Sequence, residues 1–161
     1  MTLAEMNDEF GAARTNKKEF LEKMDRIIPW GEFVKLVQQY YYKGEHGNKP
    51  YPLELMLRIF ILQNLYDLAD MKAMNEVLDS RAFSAFCCIS SPDEVPDGDT
   101  IGRFRNLLIE HDLQKKIFDV VLNLIAERGL ILKKGTIVDS TFKNHFLHKI
   151  YPPFIFLLGT Y

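Results

Sequence analysis

A mainly α-helical architecture is what this sequence predicts: a helical domain over residues 16–130, one β-strand over 131–142, and an irregular tail over 143–161. Three observations carry that expectation. Apolar residues recur at three- and four-residue spacing in one segment after another. Polar loops rich in Gly and Pro separate those segments. β-Branched residues concentrate in a single short stretch, GTIVDSTF at 135–142, which reads as a strand.

The elements follow in order. Residues 1–15 are polar and weakly patterned, and predict a frayed end or a short helix. A helix is expected over 16–26, capped by Asn16, with Phe20, Leu21 and Met24 on its inner side. Pro29 suits the first turn of the next helix, where its missing N–H leaves nothing unpaired. That helix carries Phe33, Val34, Val37, Tyr40 and Tyr41. Residues 43–50, KGEHGNKP, form a loop. Pro52 opens LELMLRIFILQNLYDL, whose apolar residues nearly surround the axis, the pattern of a central buried helix.

Asp70 is expected to cap a short helix carrying Met71, Met74 and Leu78, and Ser80 another through Phe83, Phe86 and Cys87. After the loop at 90–98, Asp97 or Asp99 caps a helix whose inner face is Ile101, Phe104, Leu107 and Leu108. A last helix over 113–128 presents Leu113, Ile117, Val120, Val121, Leu124 and Ile125, with Gly129 as its stop. The strand that follows has no partner strand, so the architecture reads as unfinished.

Composition narrows the function classes. The 161 residues suffice for one domain with a real core. A net charge of −2 gives no global electrostatic attraction to nucleic acid, so any DNA contact has to come from local basic patches. Cys87 and Cys88 are adjacent, which suits neither an ordinary disulfide nor a chelating CxxC pair; they read as reduced core residues. No signal-peptide pattern and no apolar run of roughly 18 residues is present, so a cytoplasmic protein without membrane partners is the expectation.

Asp139 is the most informative acid. A carboxylate amid Ile, Val and Thr in a strand is costly unless exposed, paired or bound to a cation. On its own the motif is a weak signal and better fits an Asp at a strand end or turn. Its surroundings add more. DRIIPW and KPYPLELMLRIFILQ within 25–63, DEVPDGDTIGRFRNLLIEHDL at 93–113 and ERGLILKKGTIVDST at 127–141 resemble, in order and spacing, the N-terminal part of bacterial insertion-sequence DDE transposases of the InsH type.

That resemblance implies a ribonuclease-H-like catalytic domain in which Asp139 is the first metal-binding acid. It also implies Mg²⁺ as the cofactor of the complete family, with two ions about 3.5–4 Å apart activating and stabilising the oxygens of phosphoryl transfer. A second Asp and a Glu complete such a set, and Mg²⁺ prefers oxygen ligands of this kind. The residues after Asp139 contain neither Asp nor Glu. The expectation is therefore a transposase chain truncated after its first catalytic acid, inactive alone and needing no cofactor itself. His145 and His148 are three apart in a segment without clear helical pattern and read as an incidental pair. The tail's FIFLL stretch is an aggregation hazard if it lacks a partner.

DNA-binding candidates come in sets. Arg103 and Arg105 flank the apolar stripe of their helix; residues two apart do not share a face, so only one is expected to reach a groove. The unit 70–111 is a possible helix-turn-helix arrangement, although its PDGD loop is longer and more acidic than a tight turn. Lys43, His46, Lys49 and Arg58 surround the Gly-rich loop, where basic residues often meet phosphates; Arg58 is better explained by an acid inside the bundle. Lys133 and Lys134 lie beside the strand. Arg14, Lys17, Lys18, Lys23 and Arg26 alternate with acids and read as a solvated face. Trp30, Tyr40, Tyr41 and Tyr42 suit core packing better than base stacking. The partners implied are transposon-end DNA, and a second copy or a full-length transposase.

Overall fold

The computed structural model describes residues 15–41, 43, 44, 47 and 49–128. Their order is α1 (Asn16–Ile27), α2 (Trp30–Gln38), α3 (Leu53–Tyr66), α4 (Asp70–Asp79), α5 (Arg81–Phe86), a 3₁₀ turn (Pro92–Glu94), α6 (Gly98–Glu110) and α7 (Leu113–Glu127). The chain is mainly helical, and no strand occurs among the described residues. The predicted strand at 131–142, the tail at 143–161 and the stop at Gly129 lie outside them.

α3 is the hub. Eleven of its fourteen residues are buried, Arg58 and Gln63 included, so neighbours surround it as its all-round apolar sequence requires. It packs on α2, α4 and α6; α1 packs on α5, α4 on both α5 and α6, and α7 on α6. One continuous core results, with Phe60, Phe83 and Phe118 among its largest fully buried side chains. Among the described residues no helix is long and apolar enough to cross a membrane.

Local chemistry sets the ends. Thr15, one residue before the expected Asn16, caps α1: its Oγ1 accepts from the Lys18 N–H at 3.2 Å. Ser80 caps α5 and Asp97 caps α6, as the sequence predicts. Asp70 does not cap. α4 begins at Asp70 itself, preceded by Ala69, and its carboxylate is taken up by Gln63 and Arg105 instead. At the end of α5 the Ile89 N–H reaches the Ser84 carbonyl and the Cys88 N–H the Ala85 carbonyl, a Schellman closure with Cys88 left-handed at φ 57°. That turn sends Cys88 to solvent while Cys87 stays buried, so only one of the two is a core residue.

Two inner faces differ from expectation. α4 buries Ala73 and Val77, while Met71 and Leu78 are exposed. Ala73 and Val77 are four apart and Met71 and Leu78 seven apart, so each pair shares one side of the helix. Met71 lies over Gly98 of α6, where an added Cβ would stand 3.3 Å from the Met71 backbone. On α7 the buried set gains Phe118 and Leu122, and Val120 turns outward, because the helix is rotated relative to the predicted stripe.

Candidate nucleic-acid interface

α6 carries three stripes with different tasks. Ile101, Phe104 and Leu108 are buried. Gly98, Gly102 and Arg105 face α4: a Cβ on Gly102 would lie 2.9 Å from Asp70 Oδ2. Thr100, Arg103 and Leu107 line a groove. At 3.6 residues per turn, positions 103 and 105 fall on nearly opposite sides of the helix, and the structure divides the two arginines accordingly.

Arg105 turns to Asp70. Its Nε donates to Oδ1 at 3.1 Å and its Nη2 to Oδ2 at 3.0 Å, while Gln63 Nε2 donates to Oδ1 at 2.8 Å. The Arg105 fork, helped by Gln63, holds the Asp70 carboxyl below its ordinary range against a smaller opposing effect of burial. Two-point geometry of this kind gives direction as well as attraction.

Arg103 turns the other way. Its Nη2 donates to Thr100 Oγ1 at 3.2 Å, and its side chain lines a groove of ≈ 730 Å³ together with Lys49. Tyr41 and Tyr51 form one wall, and Met56 and Phe104 contribute apolar surface. Tyr41 donates its hydroxyl to the Tyr51 carbonyl at 2.8 Å and meets the Phe104 ring edge-on at 5.8 Å. Burial pushes the Tyr41 phenol up to about 12, so it stays neutral at physiological pH. Asp97 sits on the rim. Its carboxyl is held low, chiefly because it accepts the Thr100 N–H at 2.7 Å. Two cations against one anion leave the groove locally positive on a chain whose net charge is −2.

The groove thus brings together Lys49 and Arg103 from two separate basic sets. Lys43 is exposed on its loop, outside the groove lining. Lys133, Lys134, Asp139, His46, Arg14 and Tyr42 lie outside the described residues. Lys17 is not simply solvated: its ammonium stands over the Phe83 ring at 4.9 Å and the Tyr66 ring at 5.5 Å.

Arg58 is an internal residue, as the sequence favours. Its Nη1 donates to Asp25 Oδ1 and to the Phe86 carbonyl, both at 2.6 Å, and Nε and Nη2 reach Glu54 Oε1 at 3.0 and 2.8 Å. The guanidinium lies 4.2 Å from the Trp30 ring centre, and Trp30 Nε1 donates to Asp25 Oδ1 at 2.9 Å. This knot ties α1, α2, α3 and α5 together. Asp25 and Phe86 were not legible as its members. The available signal was Glu54, one turn before a lone cation in an apolar helix.

Among the described residues no group of three or more His, Cys, Asp or Glu comes together as a metal site. A family model described as Transposase domain (DUF772) matches residues 9–107. That span holds the Arg58 knot, the Asp70–Arg105 fork and every residue lining the groove. No solved structure matches the chain.

Proposed function

This chain belongs to the Transposase domain (DUF772) family, and from that premise we propose that its helical domain is a DNA-binding and assembly module for transposition, with the Lys49–Arg103 groove as its DNA face. The observation that carries the reading is the convergence of Lys49 and Arg103, distant in sequence, on one groove walled by tyrosines. Cations at such a rim meet phosphates, which position a protein on the duplex; the aromatic and hydroxyl groups beside them suit sugar and base edges.

The test is a mobility shift of the full chain with terminal inverted-repeat DNA. Binding that is lost in Lys49→Gln/Arg103→Gln supports the groove, and equal binding to unrelated DNA sinks the sequence-specific form. Each phosphate neutralised adds about −0.9 to the slope of log K against log salt, so losing both cations flattens it by roughly 2.

Asp139 is proposed to be a Mg²⁺ ligand of a ribonuclease-H-like unit in which a further Asp and a Glu complete the set. Mg²⁺-dependent strand cleavage in such a complete relative, abolished in the variant equivalent to Asp139→Asn, tests that role. A second reading, association with an intact transposase, is favoured by the exposed large apolar residues Met71, Leu78, Ile109 and Val120. Co-purification with a full-length relative tests it, and absence of association removes it.

A further inference from the structure

The Asp70 carboxylate touches nothing in the groove, yet it is the most heavily engaged acid beside α6. It stands at the first residue of α4, where a carboxylate ordinarily serves the helix's own N–H groups, and it makes no such cap. Instead both its oxygens receive the Arg105 fork and one also receives Gln63 of α3. It is only a quarter exposed. The surface it meets on α6 is cut to fit, because Gly102 leaves room for Oδ2 and Gly98 leaves room for Met71. α3, α4 and α6 are therefore keyed to one another through a single side chain. The opposite side of α6 carries Arg103.

We propose that Asp70 is a positioning residue for the DNA face: by holding the Arg105 fork against the Gly98–Gly102 side of α6, it fixes the rotation of that helix that carries Arg103 into the groove beside Lys49. The inference rests on the DNA reading above. It assigns Arg105, which the sequence offers as a DNA contact, to the inside of the same machinery. It also gives Asp70 an unusual sign. An acid near a DNA face ordinarily weakens binding through its field, so its removal strengthens binding if the field is all that matters. A positioning acid does the reverse.

Binding of the full chain to fluorescein-labelled terminal-repeat duplex, read by anisotropy over a salt series well below each variant's unfolding temperature, separates these cases. Arg103→Gln weakens binding and flattens the salt slope by about 1, as losing one phosphate contact does. Asp70→Asn and Arg105→Gln each weaken binding about two- to fivefold, the range that a partly exposed ion pair corresponds to, with the salt slope unchanged. The double variant binds no worse than either single one, since both remove the same contact. Gly102→Ala, which favours the helix intrinsically but displaces the Asp70 carboxylate, reproduces the Asp70→Asn result. Equal or tighter binding by Asp70→Asn overturns the proposal, as does a salt slope flattened by about 1 in Arg105→Gln, which makes Arg105 a phosphate contact. Absence of binding by the unaltered chain overturns the DNA reading and this inference together. Binding by the unaltered chain that is unmoved in Asp70→Asn overturns this inference alone.

Discussion

Replacing Arg58 by Met decides what holds the centre of this domain together. The variant keeps an unbranched side chain of similar length in a site where Arg58 is only 6% exposed, so little cavity forms. It deletes three kinds of interaction, which differ in weight. The carboxylates of Asp25 and Glu54 are 43% and 47% exposed, so water takes them back and each pair is worth at most about 1 kcal/mol. The Phe86 carbonyl is different. It belongs to the last turn of α5, where intrahelical donors run out, and its bond from Arg58 is buried. Leaving it without that donor costs about 1–3 kcal/mol. The stack on Trp30 contributes about 1 kcal/mol, part of which a methionine sulfur recovers.

Arg58→Met is therefore expected to destabilise by about 2–3 kcal/mol, a fall in Tm on the order of 10 °C for a chain of this size. Asp25→Asn and Glu54→Gln each cost no more than about 1 kcal/mol. Thermal unfolding followed by far-UV circular dichroism measures all three. Trp30, the sole tryptophan, reports the site by its emission. If Glu54→Gln or Asp25→Asn matches the loss in Arg58→Met, the ion pairs dominate and the reasoning from the buried carbonyl is wrong.

Other outcomes follow from the same contacts. The Asp70 carboxyl is held low in the folded state by Arg105 and Gln63, so its contribution is complete above the unfolded value of about 3.9 and disappears as pH falls through the lower folded value. The Tm gap between the unaltered chain and Asp70→Asn should thus be constant from neutral pH to about 5 and close in stronger acid; a gap that persists there refutes the assignment. Asp97→Ala removes the α6 cap at a cost of about 1 kcal/mol but also removes the acid from the groove rim, so melting should show a loss while anisotropy shows tighter DNA binding. Cys88 is exposed, whereas burial pushes the Cys87 thiol up to about 12. A thiol reagent should therefore titrate one rapid equivalent in the native chain and the second only on unfolding.

Helix positions were legible because apolar spacing reports which elements must bury a face, and α3 announced its central place by lacking a polar side. Rotation was not legible to the same degree. On α4 the apolar residues that the sequence picks out divide: Met74 packs against the core, Met71 and Leu78 are exposed, and Ala73 and Val77 are buried. The face that α4 turns inward is set by its packing on α3, α5 and α6, which local spacing does not report. Asp70 failed as a cap for a related reason. Its local environment allowed capping, and a tertiary partner, Arg105, offered two charge-assisted bonds instead of one to an N–H. Asp97 and Ser80 were readable as caps because each involves residues within one turn, whereas Arg58 was readable only as the partner of some acid in the bundle. The groove itself was not readable, since the proximity of Lys49 to Arg103 depends on how α3 and α6 cross.

The same division explains how a chain with net charge −2 presents a positive groove. Charges on this domain do not act as a sum. Asp25 and Glu54 are committed to Arg58, and Asp70 is committed to Arg105, so those three acids spend their fields at close range. Salt at physiological strength screens exposed charges beyond about 8 Å, which leaves an approaching phosphate to feel mainly Lys49, Arg103 and the opposing Asp97. Attraction of that size is modest and steeply salt-dependent. Two cations do not hold a duplex tightly, so strong binding by this face requires either direct contacts from the tyrosine wall and Thr100 or a second copy that doubles the number of phosphates met. The salt slope separates those alternatives. A slope near −2 in the unaltered chain assigns the remaining affinity to contacts within one groove, and a slope near −4 with unchanged lining residues assigns it to two chains on one duplex.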